Sequence, residues 1–106
     1  MYYRHSISRL IFTSGVLDLA ERNGAFWLID AVASYQPQLR NDDDAFQLWN
    51  LEVADSKAVL TARRDTHEPA LVTQEVPFTD YPEPGARLYC IVDHEGVPHL
   101  MLPEEY

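Results

Sequence analysis

The chain has one cysteine, four glycines and only eight lysines and arginines among its 106 residues. Each shortage excludes something. Cys90 alone cannot make an internal disulfide or a zinc site built on several thiolates. So few glycines leave no phosphate-cradling loop, and no Gly-x-Ser-x-Gly elbow is present for a nucleophilic serine. Eight cations against 17 Asp and Glu give a formal net charge of −9. Direct nucleic-acid binding is therefore not expected, because phosphate neutralisation needs clustered cations. No run of about 18 uncharged apolar residues occurs, so no membrane span is expected. Met1-Tyr2-Tyr3-Arg4-His5 lacks the basic-then-apolar order of a secretory signal, which points to a cytoplasmic protein.

What is present is enough apolar residue for one core, and a single domain over residues 1–106 is expected. The chain is organised around Phe12 to Tyr35. Thr13 or Ser14 can cap a first helix carrying Val16, Leu19 and Ala20 on one stripe, and Asn23-Gly24 ends it. A second helix from about Ala25 to Gln36, stopped by Pro37, is apolar on almost every side. Asp30 is its one charge and needs a partner: Arg4, Arg9 or His5 from the N-terminal arm, or a second acid across the sheet.

After the polar connector the period changes. Trp49, Leu51 and Val53 alternate with Asn50 and Glu52, as in a half-buried strand. Asp55-Ser56 marks a turn into Lys57 to Arg63, read as the other arm of a hairpin. Ala70 to Phe78 follows as a third strand, with Val72, Val76 and Phe78 on one face and Pro77 favouring an edge. Asp80 to Gly85 is a stiff loop. Leu88 to Val92 and Val97 to Leu102 form the last hairpin around His94-Glu95-Gly96. The expected fold is α+β: two N-terminal helices packed on an antiparallel meander of four to five strands.

No chemistry stands out. Cys90 lies in an apolar run, where a thiol behaves as a small buried hydrophobe. His5, His67, His94 and His99 have no helical His-x-x-x-His spacing, so no metal is assigned. No cofactor is implied.

Tyr3-Arg4-His5, Thr13-x-Gly15-Val16, Gly24-Ala25-Phe26-Trp27-Leu28-Ile29-Asp30, Phe46-Gln47-x-Trp49, Thr73-Gln74, Phe78-Thr79-Asp80-Tyr81-Pro82 and Leu102-Pro103-x-Glu105-Tyr106 form an ordered set. With these, the chain resembles a group of small bacterial, plasmid and phage proteins known as a domain of unknown function. The resemblance spans nearly the whole length and implies a compact domain without a named activity.

Two functional readings follow. The first is a non-catalytic acidic protein-binding module without catalytic residues. Its concrete form is a phage or mobile-element inhibitor of a host defence complex, of the anti-CRISPR type, blocking a basic nucleic-acid-binding surface. Asp42, Asp43, Asp44, Asp80, Tyr81 and Glu83 are its candidate contacts. The second is a small hydrolase or metal-dependent enzyme using Asp30 and His5. A homodimer through an edge strand is compatible with either.

Overall fold

A computed structural model describes residues 2–39 and 46–106. Two short strands, β1 (Tyr2–Arg4) and β2 (Ile11–Thr13), precede the helices α1 (Ser14–Asn23) and α2 (Phe26–Leu39). Five more strands follow: β3 (Phe46–Ala54), β4 (Lys57–Arg63), β5 (Val72–Val76), β6 (Gly85–Val92) and β7 (Pro98–Met101). They form one seven-stranded sheet in the order β1-β2-β7-β6-β3-β4-β5.

This corrects the expected fold. The helices do not open the chain, and the sheet is a mixed one of seven strands. β2 runs parallel to β7, pairing Ile11 with His99 and Phe12 with Leu100. The N-terminal arm thus extends the meander at its β7 side.

Local chemistry places the helices. Thr13 caps α1: its hydroxyl accepts from the Val16 N–H and donates to Glu105 Oε1 at 2.6 Å. α1 has no acid of its own in its first turn. Glu105, from a terminal 3-10 turn (Pro103–Glu105), brings a carboxylate to that positive end instead. Gly15 leaves room for it, since a β-carbon there would stand 2.7 Å from Glu105 Oε2. Gly24, at φ 59°, closes α1 in the left-handed conformation. α2 runs through Pro37 to Leu39, further than expected, with Pro37 inside its final turn.

α2 buries one face, not all of them. Ile29, Val32, Ala33 and Gln36 make the buried stripe, while Phe26 and Asp30 face outward. Against the helices, strand alternation supplies Trp49, Leu51, Leu60, Ala62, Leu88, Cys90 and Leu100. The β3–β4 hairpin turns on Asp55 and Ser56, both at positive φ (53° and 61°), with Ala54 opposite Lys57. This is the dihedral pattern a two-residue hairpin favours.

Gln36 interrupts the apolar stripe and meets Gln47 of β3. Each amide donates to the other, at 2.9 and 3.0 Å, and Trp49 Nε1 donates to Gln47 Oε1 at 2.9 Å. Gln36 also donates to the Val32 carbonyl at 3.0 Å. All of these groups are buried, so Gln47→Leu strands two donors at about 1–3 kcal/mol each. The double variant Gln36→Leu/Gln47→Leu removes the amide pair together, leaving only the Trp49 N–H unpaired, and is expected to cost less than the two single changes combined. A urea-unfolding cycle measures the coupling, of the order of 0.5–3 kcal/mol. Strict additivity contradicts the network.

Candidate functional site

Asp30, expected to need a partner, meets His5. The two side chains are 2.7 Å apart, with the imidazole largely buried and the carboxylate 69% exposed. The Ser8 hydroxyl lies 3.0 Å from His5 Nδ1, so serine, histidine and aspartate stand in one hydrogen-bonded line. Nδ1 also accepts backbone N–H groups from Ile7 and Ser8 at 3.3 and 3.1 Å. Nδ1 is thus the acceptor and the Nε2 proton points to Asp30. The loop closes further through the His5 N–H to the Leu10 carbonyl, and the Leu10 N–H to Ser8 Oγ. This arrangement anchors the arm to α2. Ser8 lines a depression with Leu10, Ala33, Gln36 and Pro98, but neither His5 nor Asp30 does.

Among the described residues no three His, Cys, Asp or Glu side chains gather as a metal site. His99 and Asp93 do meet, at 2.8 Å across the last hairpin. The Asp93 carboxylate also accepts N–H groups from Glu95 and Val97, both at 2.9 Å. The Val97 amide first and the His99 side chain second hold its pKa at about 2, below the ordinary 3.8. A depressed carboxylate stabilises the fold fully above its unfolded value and loses that contribution as pH falls. Wild type and Asp93→Asn should therefore differ in urea midpoint at pH 5 and above, and converge as pH drops from about 4 to 2. A gap as wide at pH 2 as at pH 5 contradicts this role.

Cys90 is fully buried, and burial pushes its thiol up to about 12 despite the opposing His99 backbone contact. It should react with thiol reagents only through unfolding, so its labelling rate should track global stability in a urea series. Rapid labelling of the native protein contradicts the burial.

The expected partner contacts separate. Asp42, Asp43 and Asp44 lie outside the described residues. Asp80 and Glu83 are exposed. Tyr81 is only 5% exposed and belongs to the core. Desolvation, then the Glu83 charge, raises its pKa, and its hydroxyl has no hydrogen-bond partner among the described residues. Glu83 faces Arg22 at 3.7 Å, and Arg22 donates to Asp18 at 2.8 Å. Part of the local negative charge is thereby neutralised.

Phe78 is the residue that sequence reasoning misplaced. It is expected within the third strand, on one face with Val72 and Val76, yet β5 ends at Val76 and Phe78 is 73% exposed. Pro77 has no amide to continue the ladder. The next residues are pinned: Thr79 is buried and its N–H donates to the Ser56 carbonyl at 2.8 Å, while the Tyr81 N–H donates to Thr79 Oγ1 at 3.2 Å. Phe78 is thus held outward on a fixed segment. Beside it lies a depression of about 370 Å³, whose apolar wall is Trp27, Val76 and Pro77. Glu75 and Asp80 supply its charge, and no described cation lines it. Among the described residues β5 pairs with β4 alone and stands at the edge of the sheet.

No described helix is long and apolar enough to cross a membrane. No curated protein and no solved structure matches the chain. A family model does match, over residues 1–106, and the chain belongs to that family of unknown function, DUF6876.

Proposed function

We propose that the protein is a non-catalytic acidic module that binds a protein partner presenting a basic, extended segment. The observation that carries this reading is Phe78, an apolar ring held in solvent by a pinned loop. Exposed aromatic anchors beside a concave apolar wall are characteristic of binding hot spots. The free edge of β5 supports the extended geometry, because a partner segment can add to it as a further strand. Glu75 and Asp80 flank that edge, and the net charge of −9 attracts basic partners at long range.

The finer form of the proposal is a blocker carried by a phage or other mobile element, occluding a basic nucleic-acid-binding surface in the manner of an anti-CRISPR protein. There Asp42, Asp43 and Asp44 would act with Asp80 and Glu83 as substitutes for phosphates.

The test is a pull-down of the tagged protein from its native host at low and high salt, with Phe78→Ala in parallel. One stoichiometric partner is expected at low salt, released at high salt and lost with Phe78→Ala. Recovery of the protein alone or of a second copy of itself overturns the reading. So does undiminished capture by Phe78→Ala. Capture unchanged after all three of Asp42, Asp43 and Asp44 become Asn rejects the charge-mimic form while leaving the edge-strand site.

A further inference from the structure

The helices cover one face of the sheet, and the other face carries a second depression of different chemistry. Strand register builds it. On β6, β3 and β4, Tyr89, Leu48 and Arg63 stand side by side in one cross-strand row. The adjacent row puts Arg87 beside Asn50, and the row on the opposite side puts Phe46 beside Ile91. Successive rows on one face are about 7 Å apart along the strands.

Leu48 is the buried floor shared by two adjoining hollows. One, of about 300 Å³, is walled by Phe46, Tyr89 and Tyr106. These rings meet edge-on or tilted, with centroids 5.0 to 6.0 Å apart, and Tyr106 is 75% exposed. The other, of about 220 Å³, is reached by Arg63 and Arg87. Arg64 joins the aromatic end, so three of the chain's eight Lys and Arg gather here in a strongly acidic protein. Two acids also line the hollows: Asp65, engaged with the Thr66 N–H, and Glu52, engaged with Asn50.

We infer that this face binds a mononucleotide, its base on the aromatic wall and its phosphate on Arg63 and Arg87. A flat ring stacks on tyrosine and phenylalanine whatever its substituents. Guanidinium groups are the side chains best matched to phosphate oxygens. The spacing of the rows is what a sugar must bridge between base and phosphate. Size is limited by charge: a long polyanion is repelled by the whole molecule at −9, while a compact ligand senses mainly the arginines within a Debye length of about 8 Å. This inference does not depend on the β5 edge or on Phe78.

The experiment is a titration followed by amide chemical shifts, using AMP, adenosine, inorganic phosphate and a single-stranded oligonucleotide. AMP is expected to saturate, with adenosine and phosphate each at least about tenfold weaker. Arg87→Ala and Tyr106→Ala replace exposed side chains, and unchanged unfolding midpoints verify that both variants fold. Each should weaken AMP by about tenfold or more. Three results overturn the inference: no saturable AMP binding at millimolar concentration, variants that keep wild-type affinity, or an oligonucleotide that binds more tightly than AMP.

Discussion

Replacing Trp49 by alanine is expected to remove a large share of the folding stability. Trp49 is 1% exposed in the middle of β3, the strand that pairs with both β4 and β6. Its ring packs near Tyr35 of α2, and its indole N–H anchors the Gln36–Gln47 pair. Truncating a buried tryptophan costs about 3–5 kcal/mol through lost transfer energy and the cavity left behind. Whole domains of this size are stable by only about 5–15 kcal/mol. Thermal unfolding should drop by on the order of 15 °C or more. Trp49→Phe keeps most of the volume but leaves one acceptor position of Gln47 empty, so its loss should be clearly smaller. A fall below about 1 kcal/mol for Trp49→Ala contradicts the placement of the core.

Gly85→Ala is expected to be the most damaging change of a single methyl group. Gly85 begins β6 opposite Glu52, and a β-carbon there would collide with the Leu51 carbonyl oxygen of β3. The collision is with backbone, which has no rotamer to move. The strand cannot swing away either, because the Val53 N–H donates to the Pro84 carbonyl at 2.7 Å. Overpacking ordinarily costs about 1–3 kcal/mol, and this site belongs at or above the upper end. Gly24→Ala is the comparison: it meets nothing within 4 Å, and only its positive φ is unfavourable, at about 1–2 kcal/mol. Denaturant midpoints should therefore fall further for Gly85→Ala than for Gly24→Ala. The reverse order contradicts the strand register.

Parts of this architecture are legible residue by residue. Thr13 and Gly24 bracket α1 by local chemistry alone, and Asp55-Ser56 marks its hairpin the same way. β1 and β2 are not legible, since three residues show no period and their places depend on β7 at the far end of the chain. The composition of α2 implies burial all round. The structure buries the arc of Ile29, Val32, Ala33 and Gln36, and only the position of the sheet decides that. Asp30 is expected to need a partner as a charge on a buried helix; it faces solvent instead, and the buried member of the pair is His5 from the arm.

The candidate sites were harder to read. Tyr81 is polar at one end and sits in a proline-rich loop, both surface signals, yet it plugs the core. Phe78 is apolar and follows a strand, both core signals, yet it faces water. In each case the deciding factor is where the ladder ends at Val76 and how Ser56 pins Thr79. The aromatic and arginine rows on the open face are equally invisible in sequence. They come from three strands brought into register, and Tyr106 joins them only through the terminal turn.

The motifs behind the family resemblance pair off in space. His5 holds Asp30, Glu105 holds Thr13 beside Gly15, and Gln74 accepts from the Tyr35 hydroxyl at 2.8 Å. These residues therefore serve the fold, whereas Phe78 and Tyr106 of the same set are largely exposed.

Hydrogen exchange of the protein alone and in complex with its captured partner tests the proposed β5 edge site most directly. Amides of Val72–Val76 and the segment around Phe78 should gain protection on binding, while those of β1, the opposite edge, stay unchanged. Protection confined to β1 or to the open face, with β5 unaffected, contradicts it.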